Sequence, residues 1–404
     1  MRIGAALVAA TLLLYSPAEA QETRAGTLRR QRAEKAKQLE PYTPKRLEKL
    51  VMDAEEGKIR RMITPHNGFY AEYGYTEKPV GSGIGLGGGF RHDLFGRHAR
   101  IDLEAGTSFR RYWLLRGDFS LPRLAREHLE LGVQGTFKNH PQERFYGLGN
   151  ESIEEDRVTY LYRANEVQGR AIASITPWLR AGSRFGLLSP SIRGGTDDRF
   201  PSIEEQYDDT TLPGLAVQPD FLYGTLFGEV DYRDEPGNAR QGGYYTLTHR
   251  RYSDRDAGSY SFAATDLRLV QFLPIFDKKR VFAFQFVLSN NVADDGHLVP
   301  FYMKPTLGGS RSLRSVADYR FRDDSVMWTN VEYRWEAFGL LDMALFTDFG
   351  KVAPRFSDLG ESDLKKAYGI GFRFNTPSSV FLRFDIATGA GEGLHYYFKF
   401  ATVY

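Results

Sequence analysis

Apolar and polar residues alternate in a long series of short segments from Asn67 to the end of the chain. A period of two places successive side chains on opposite faces of a β-strand, so each segment is predicted to form a strand with one apolar face. The pattern predicts an all-β domain of about 16 strands, an even number as in bacterial membrane barrels. The predicted strands are 68–76, 81–92, 98–107, 111–119, 128–138, 158–175, 179–194, 220–233, 243–254, 259–273, 279–290, 325–335, 340–349, 367–375, 379–387 and 393–404.

The connections between these segments alternate in length. Every second connection is a compact turn, whereas four of the others are long, at 138–157, 195–219, 291–324 and 351–366. Short periplasmic turns that alternate with longer external loops are typical of an outer-membrane barrel. We therefore predict that residues 67–404 form a transmembrane antiparallel β-barrel in the bacterial outer membrane, with both termini in the periplasm.

The first 66 residues have a different composition. Residues 1–20 carry a basic residue, an apolar run and a small-x-small sequence at 18–20, which together predict a signal peptide. The apolar run at 3–15 is too short for a membrane-spanning helix. Residues 21–66 are charged and favour helix, with interrupting prolines, so we predict a short helical periplasmic extension or linker.

Composition narrows the possible functions. The net charge is only +2, and Lys and Arg are spread along the chain, which argues against nucleic-acid binding. The absence of cysteine excludes disulfides and thiolate metal sites. Aromatic residues make up 14% of the chain, which suits aromatic girdles at the membrane interfaces. The mean hydropathy of −0.42 does not identify a membrane protein, because half of the residues in barrel strands are polar.

An arginine-rich loop and two alternating strands make up residues 307–350. Alternation places Glu332 and Asp348 on the polar faces of neighbouring strands, and in a barrel these faces point into the lumen. The loop upstream offers four possible basic partners for these acids, namely Arg311, Arg314, Arg320 and Arg322. Because four cations lie close by in the sequence, a lumen salt bridge is favoured over a pair of catalytic carboxylates.

This stretch resembles the diagnostic part of the BamA/TamA outer-membrane assembly family, also called the bacterial surface antigen family. Members of that family carry a loop with an Arg-Gly-aromatic tip, which folds into the barrel lumen. The Arg of the tip pairs there with acids on the next two strands. The tip corresponds here to Leu313, Arg314, Ser315 and Val316. A Ser and a Val thus replace the Gly and the aromatic residue, and the resemblance implies that Arg314 pairs with Glu332 and Asp348.

The last predicted strand has aromatic residues on one face. These residues are Tyr396, Phe398, Phe400 and the terminal Tyr404. An amphipathic final strand that ends in an aromatic residue resembles the signal by which barrels are recognised for insertion. In the BamA/TamA family the first and last strands also form a weakly paired seam, which would lie here between 68–74 and 394–404. Unpaired edges at such a seam are a template for strand addition.

The resemblance implies a role in inserting or translocating outer-membrane proteins or lipids, through the seam and the lumen loop. Family members carry periplasmic POTRA domains, and residues 21–66 are too short for one, so we predict a POTRA-less member. The expected partners are outer-membrane lipids, lipopolysaccharide, unfolded outer-membrane proteins and periplasmic factors, and the protein itself is expected to be a monomer. A porin-like passive channel remains the first alternative, followed by an outer-membrane hydrolase.

Motifs for enzymatic chemistry are weak in this sequence. The glycine-rich run at 81–89 has the form of a dinucleotide fingerprint, but its glycines alternate with apolar residues as in a strand. A stripe of glycines facing inward would instead leave room for the in-folded loop. Ser310 lacks the second glycine of a nucleophile elbow, and the eight histidines lack metal-site spacing. We therefore expect no enzymatic activity, no cofactor and no metal.

Overall fold

The computed structural model describes residues 67–73, 85–276, 278–375 and 379–400. These residues all fall within one unit, Val51–Tyr404. The predicted signal peptide, the predicted helical extension and Tyr404 lie outside the described residues, and only the backbone of Phe400 is described. None of the helical segments in these ranges has the length and apolar character of a membrane-spanning helix.

In the described part of the chain, sixteen antiparallel strands form one sheet in which each strand pairs with the next sheet strand along the chain, so the predicted all-β architecture is confirmed. A separate two-stranded ladder, β12 with β13, lies in the connection between β11 and β14. The strands are β1 (Gly68–Tyr73), β2 (Gly85–Leu94), β3 (Ala99–Ser108), β4 (Trp113–Leu124), β5 (Leu129–Phe145), β6 (Val158–Thr176), β7 (Leu179–Gly194), β8 (Phe221–Asp231), β9 (Gly242–Asp254), β10 (Phe262–Ile275), β11 (Arg280–Ala293), β12 (Thr306–Leu307), β13 (Phe321–Arg322), β14 (Ser325–Phe338), β15 (Leu341–Ala353), β16 (Lys365–Asn375), β17 (Val380–Gly389) and β18 (Leu394–Phe400).

Several strands extend further than the sequence pattern predicts. The prediction ended the fifth strand at residue 138, whereas β5 continues to Phe145. The register of β5 against β6 shifts between His140 and Glu143, and such a bulge interrupts the alternation of side chains between the two faces. The prediction was wrong there because an interrupted alternation no longer has the period of two that marks a strand.

The two faces of the sheet differ in chemistry. On β11 the rings of Phe282 and Phe284 are exposed, whereas the alternate residues Val281 and Ala283 are buried. Further exposed apolar side chains on the same outer face are Leu103, Phe119, Val133, Phe185, Leu226, Leu247, Leu345 and Phe398. The inner face carries ion pairs, such as Arg170 Nε with Glu130 Oε1 at 2.8 Å. An apolar exterior around a polar interior is the pattern of a membrane barrel.

Long connections pack together at one end of the barrel, which we call the loop end. The short turns lie at the opposite end, which we call the turn end. We call 146–157, 195–219 and 294–305 the loop-end cap. Phe301 at its centre is fully buried, and its ring centroid lies 5.3 Å from that of Phe145 and 5.2 Å from that of Tyr160. The other members of this cluster are Val158, Ile192, Ile203, Leu212 and Leu215. Ile203 begins the short helix α1 (Ile203–Gln206).

The β5–β6 connection reaches across the loop end. Asn150 accepts a hydrogen bond from the backbone N–H of Val352 on β15 at 3.3 Å, and its amide donates to the carbonyl of Asp363 at 2.9 Å. Gly149 N–H donates to the carbonyl of Arg322 at 2.9 Å. Because β5 and β15 are separated by many strands in the sheet, these contacts place the connection over the mouth of the lumen.

Candidate functional site: an arginine-anchored loop in the lumen

The ladder between β12 and β13 closes a loop of residues 308–320, which we call the lumen loop. Gly308 and Gly309 have φ angles of 131° and 81°, which L side chains rarely adopt. A Cβ at Gly308 would overlap the carbonyl oxygen of Ala317, and one at Gly309 would overlap the carboxylate of Asp318. These glycines therefore allow the two arms of the loop to approach closely, and Gly309 N–H donates to the carbonyl of Val316 at 3.2 Å.

Apolar side chains seat the lumen loop against the barrel wall. Leu313 and Val316 are fully buried, so the Val that replaces the family's aromatic residue still fills an apolar site. The cluster around them consists of Val287, Leu307, Phe321, Val326, Trp328, Val352 and Ala367. Burying a side chain of this size stabilises the folded state by about 1.5–3 kcal/mol. The loop is therefore held by apolar packing as well as by charge.

Arg314 lies at the tip of the lumen loop and contacts both predicted acids. Its Nε donates to Asp348 Oδ2 at 2.8 Å, and its Nη2 donates to Asp348 Oδ1 at 2.6 Å. Its Nη1 donates to Glu332 Oε1 at 2.5 Å. The guanidinium carbon also lies 3.3 Å from the ring centroid of Phe346, a cation–π contact. Arg314 is 2% exposed and Asp348 is 0% exposed, so this is a buried, bidentate ion pair.

The charges around Arg314 determine its pKa. Burial alone would lower the pKa of its guanidinium, because a charged group is less stable away from water. The carboxylates of Glu332, Asp348 and Asp385 act in the opposite direction and together raise this pKa above its ordinary value. Arg314 therefore remains charged, as the ion pairs require.

Four more residues join this site, and the sequence analysis did not connect them with it. Arg373 Nη1 donates to Asp385 Oδ1 at 2.5 Å, and Arg383 Nε donates to Asp385 Oδ2 at 2.6 Å. Arg334 Nε donates to Glu332 Oε2 at 2.7 Å, and Arg373 Nη2 reaches Glu332 Oε1 at 3.1 Å. The lumen cluster therefore consists of Arg314, Glu332, Arg334, Asp348, Arg373, Arg383 and Asp385. The members that lie on strands have a signal in the sequence, which is the alternation that turns their side chains inward.

The other three arginines upstream of the acids have different partners or positions. Arg320 donates through Nη2 to the carbonyl of Ser152 at 2.6 Å and also contacts Glu392. Arg322 Nη1 donates to the carbonyl of Phe301 in the loop-end cap at 3.2 Å. Arg311 is exposed. Of the four arginines that the sequence offered as partners, one therefore lies in the lumen cluster, two contact the loop-end cap and one is exposed to solvent.

Aromatic residues of the last strand face outward. Tyr396 and Phe398 are 58% and 66% exposed, as expected for side chains that would face lipid. Within the described residues β18 pairs only with β17, and β1 pairs only with β2. A seam between β1 and β18 stays a prediction, because residues 74–84 and 401–404 lie outside the described ranges.

The described part of the glycine-rich run, from Gly85 onwards, forms a strand. Residues 85–94 make up β2, as the alternating pattern indicated. A Cβ at Gly89 would overlap the ring of Tyr70 and the carbonyl oxygen of Leu103, so its neighbours are β1 and β3 rather than the lumen loop. Across the described ranges, no three His, Asp or Glu side chains converge as they would around a metal ion.

Comparisons with known proteins agree with this geometry. The fold is that of an outer-membrane β-barrel, and residues 228–401 match the model of the Omp85 superfamily domain. This match confirms the resemblance to the BamA/TamA family at superfamily level, over the matched part of the chain. No curated protein matches the chain.

Two solved structures are similar in fold. BamA from Haemophilus ducreyi lacking POTRA domains 1–3 superposes with a TM-score of 0.62 at 13% identity, over 82% of this chain and 69% of that one. CdiB from Escherichia coli superposes with a TM-score of 0.52 at 12% identity, over 83% of this chain. The chain covers 62% of the length of CdiB, which is less than two thirds.

Proposed function

We propose that this barrel assists the insertion or translocation of outer-membrane proteins or lipids and catalyses no chemical step. The observation that carries this proposal is the lumen loop, which Arg314 anchors to β14 and β15 and which also contacts β18. A loop that links the inner wall to the last strand can influence how that strand pairs. In this proposal, clients pair with the free edges of β1 and β18, next to a locally thinned bilayer.

The orientation belongs to the same proposal. The turn end faces the periplasm, the loop-end cap faces outward, and both termini are periplasmic. Residues 1–20 act as a signal peptide, and residues 21–66 form a short helical extension before the barrel at 67–404. The partners are unfolded outer-membrane proteins, periplasmic factors and the surrounding lipids, including lipopolysaccharide.

A passive channel is the second candidate, because polar side chains line the lumen wall away from the lumen loop. Gln168 Nε2, for example, donates to Gln134 Oε1 at 2.9 Å on neighbouring inner positions. The loop-end cap argues against a constantly open pore, because its apolar core lies over the mouth of the lumen.

The two candidates predict different results with purified barrel in liposomes. We expect liposomes that contain the barrel to shorten, several-fold, the half-time for folding of an added small outer-membrane barrel protein. Empty liposomes give the background rate, and liposomes with an unrelated closed porin control for bilayer disturbance. Folding no faster than in the porin liposomes, together with steady ion conductance, would reject assembly in favour of the channel.

A further inference from the structure

The hairpin that joins β17 to β18 is rich in glycine. Gly389, Ala390, Gly391 and Gly393 all have positive φ angles. A Cβ added at Gly391 or Gly393 would meet no atom within 4 Å, so the tip is not packed against a neighbour there. A tip with this freedom needs side-chain contacts to fix its position.

Glu392, the charged residue of this tip, reaches into the barrel. Its Oε1 accepts a hydrogen bond from Arg320 Nε, and its Oε2 accepts one from the backbone N–H of Ala317 at 3.4 Å. The side chains of Arg320 and Glu392 are 4% and 9% exposed, so the pair is shielded from water. Arg320 is fixed in turn by Ser152, whose Oγ it contacts at 2.9 Å. One ion pair therefore joins the final hairpin, the lumen loop and the loop-end cap.

Two residues of β18 continue this attachment towards the turn end. Tyr397 O–H donates to the carbonyl of Val316 at 2.7 Å, and Lys399 Nζ donates to the carbonyl of Ser310 at 3.4 Å. Among the described residues, the ladder of β18 with β17 has seven residue pairs, from Leu394 to Phe400. The final hairpin is thus bound to the lumen loop at one point and the inner face of β18 at two, while the other edge of β18 has no partner among the described residues.

We propose that Glu392 is a positioning residue that holds the final hairpin against the lumen loop, so that the loop controls how readily the free edge of β18 opens. The effect of this attachment on client pairing rests on the proposed function, whereas the attachment itself does not. Of the three contacts, the one at Glu392 is the ion pair between opposite charges, and both of its side chains are buried. Strands β14 and β15 are held independently by Arg314, so loss of Glu392 acts on β18.

Amide hydrogen exchange on the full chain in lipid nanodiscs tests this proposal. Replacement of Glu392 with alanine is expected to speed exchange in 394–400 by roughly 10- to 100-fold, with little change in β14 and β15. Glu361→Ala, which removes an exposed acid from the neighbouring β15–β16 connection, is the matched control and should leave β18 unchanged. The milder Glu392→Gln should give an intermediate rate, and the exchanged pair Arg320→Glu with Glu392→Arg should slow exchange again.

Unchanged exchange of β18 in Glu392→Ala, or an equal rise in Glu361→Ala, would overturn the proposal. So would a rise spread evenly over β14–β18, because it would indicate general loosening of the barrel. The same variants in the liposome assay separate the role of Glu392 from the proposed assembly function. Faster exchange without any acceleration of client folding by the wild-type barrel would keep the role of Glu392 and reject the assembly function.

Discussion

Replacing Arg314 with methionine is expected to lower the free energy of unfolding of the barrel by about 3–5 kcal/mol. Methionine preserves much of the side-chain volume, so the change removes mainly the charge. Asp348 is fully buried and would lose both guanidinium hydrogen bonds, keeping those from Asn330 Nδ2 at 2.8 Å and from the backbone N–H of residue 314 at 3.1 Å. Glu332 loses less, because Arg334 and Arg373 still contact it. Urea unfolding in lipid vesicles, followed by tryptophan fluorescence, measures the change.

A matched control separates this effect from a general loss of positive charge. Arg311→Met changes an exposed arginine of the same loop and should alter stability by no more than about 0.5 kcal/mol. Adding Asp348→Asn to Arg314→Met should recover part of the loss, because the uncompensated buried charge is then gone. Equal stability of the Arg314 and Arg311 variants would show that the buried ion pairs do not hold the loop.

The second large effect is expected at the loop-end cap. Phe301→Ala should destabilise the barrel by about 3–5 kcal/mol, because it leaves a cavity among the rings of Phe145, Tyr160 and Tyr302. It should also raise ion conductance in planar bilayers, because the cap that covers the lumen is loosened.

The control for the cap is Phe356→Ala, which removes a ring that is 56% exposed and should change neither property. Single-channel recordings and urea unfolding give the two measurements on the same preparations. Full destabilisation by Phe301→Ala with conductance equal to that of the wild type would mean that the cap does not close the lumen.

Local patterns in the sequence were enough to predict the barrel but not the whole lumen cluster. Alternation is a property of neighbouring residues, so the strands and the inward direction of Glu332 and Asp348 could be read without any tertiary information. The pairing of Arg314 with these acids came from the family resemblance. Alternation also turns Arg373 and Asp385 inward, but their contact depends on the register between β16 and β17. In that register Arg373 lies opposite Arg383, and Asp385 lies opposite Gly371.

The contacts within the loop-end cap could not be predicted from the sequence for a related reason. Phe301 and Leu212 come from two different connections and Phe145 from the end of β5, and no local period links residues so far apart in the chain. The extension of β5 past its bulge was hidden because the bulge breaks the alternation. Contacts between distant loops depend on where the sheet places their ends, which only the folded structure provides.

The seating of the lumen loop by Arg314 is tested most directly with one introduced cysteine. The chain has no cysteine, so Ser315→Cys would be a unique reporter at a position that is 0% exposed. We expect a membrane-impermeant maleimide to label it far more slowly than Asp198→Cys, an exposed position in the β7–β8 connection, and Arg314→Met to remove most of that protection. Labelling of Ser315→Cys as fast as Asp198→Cys, with Arg314 intact, would contradict a loop held inside the lumen.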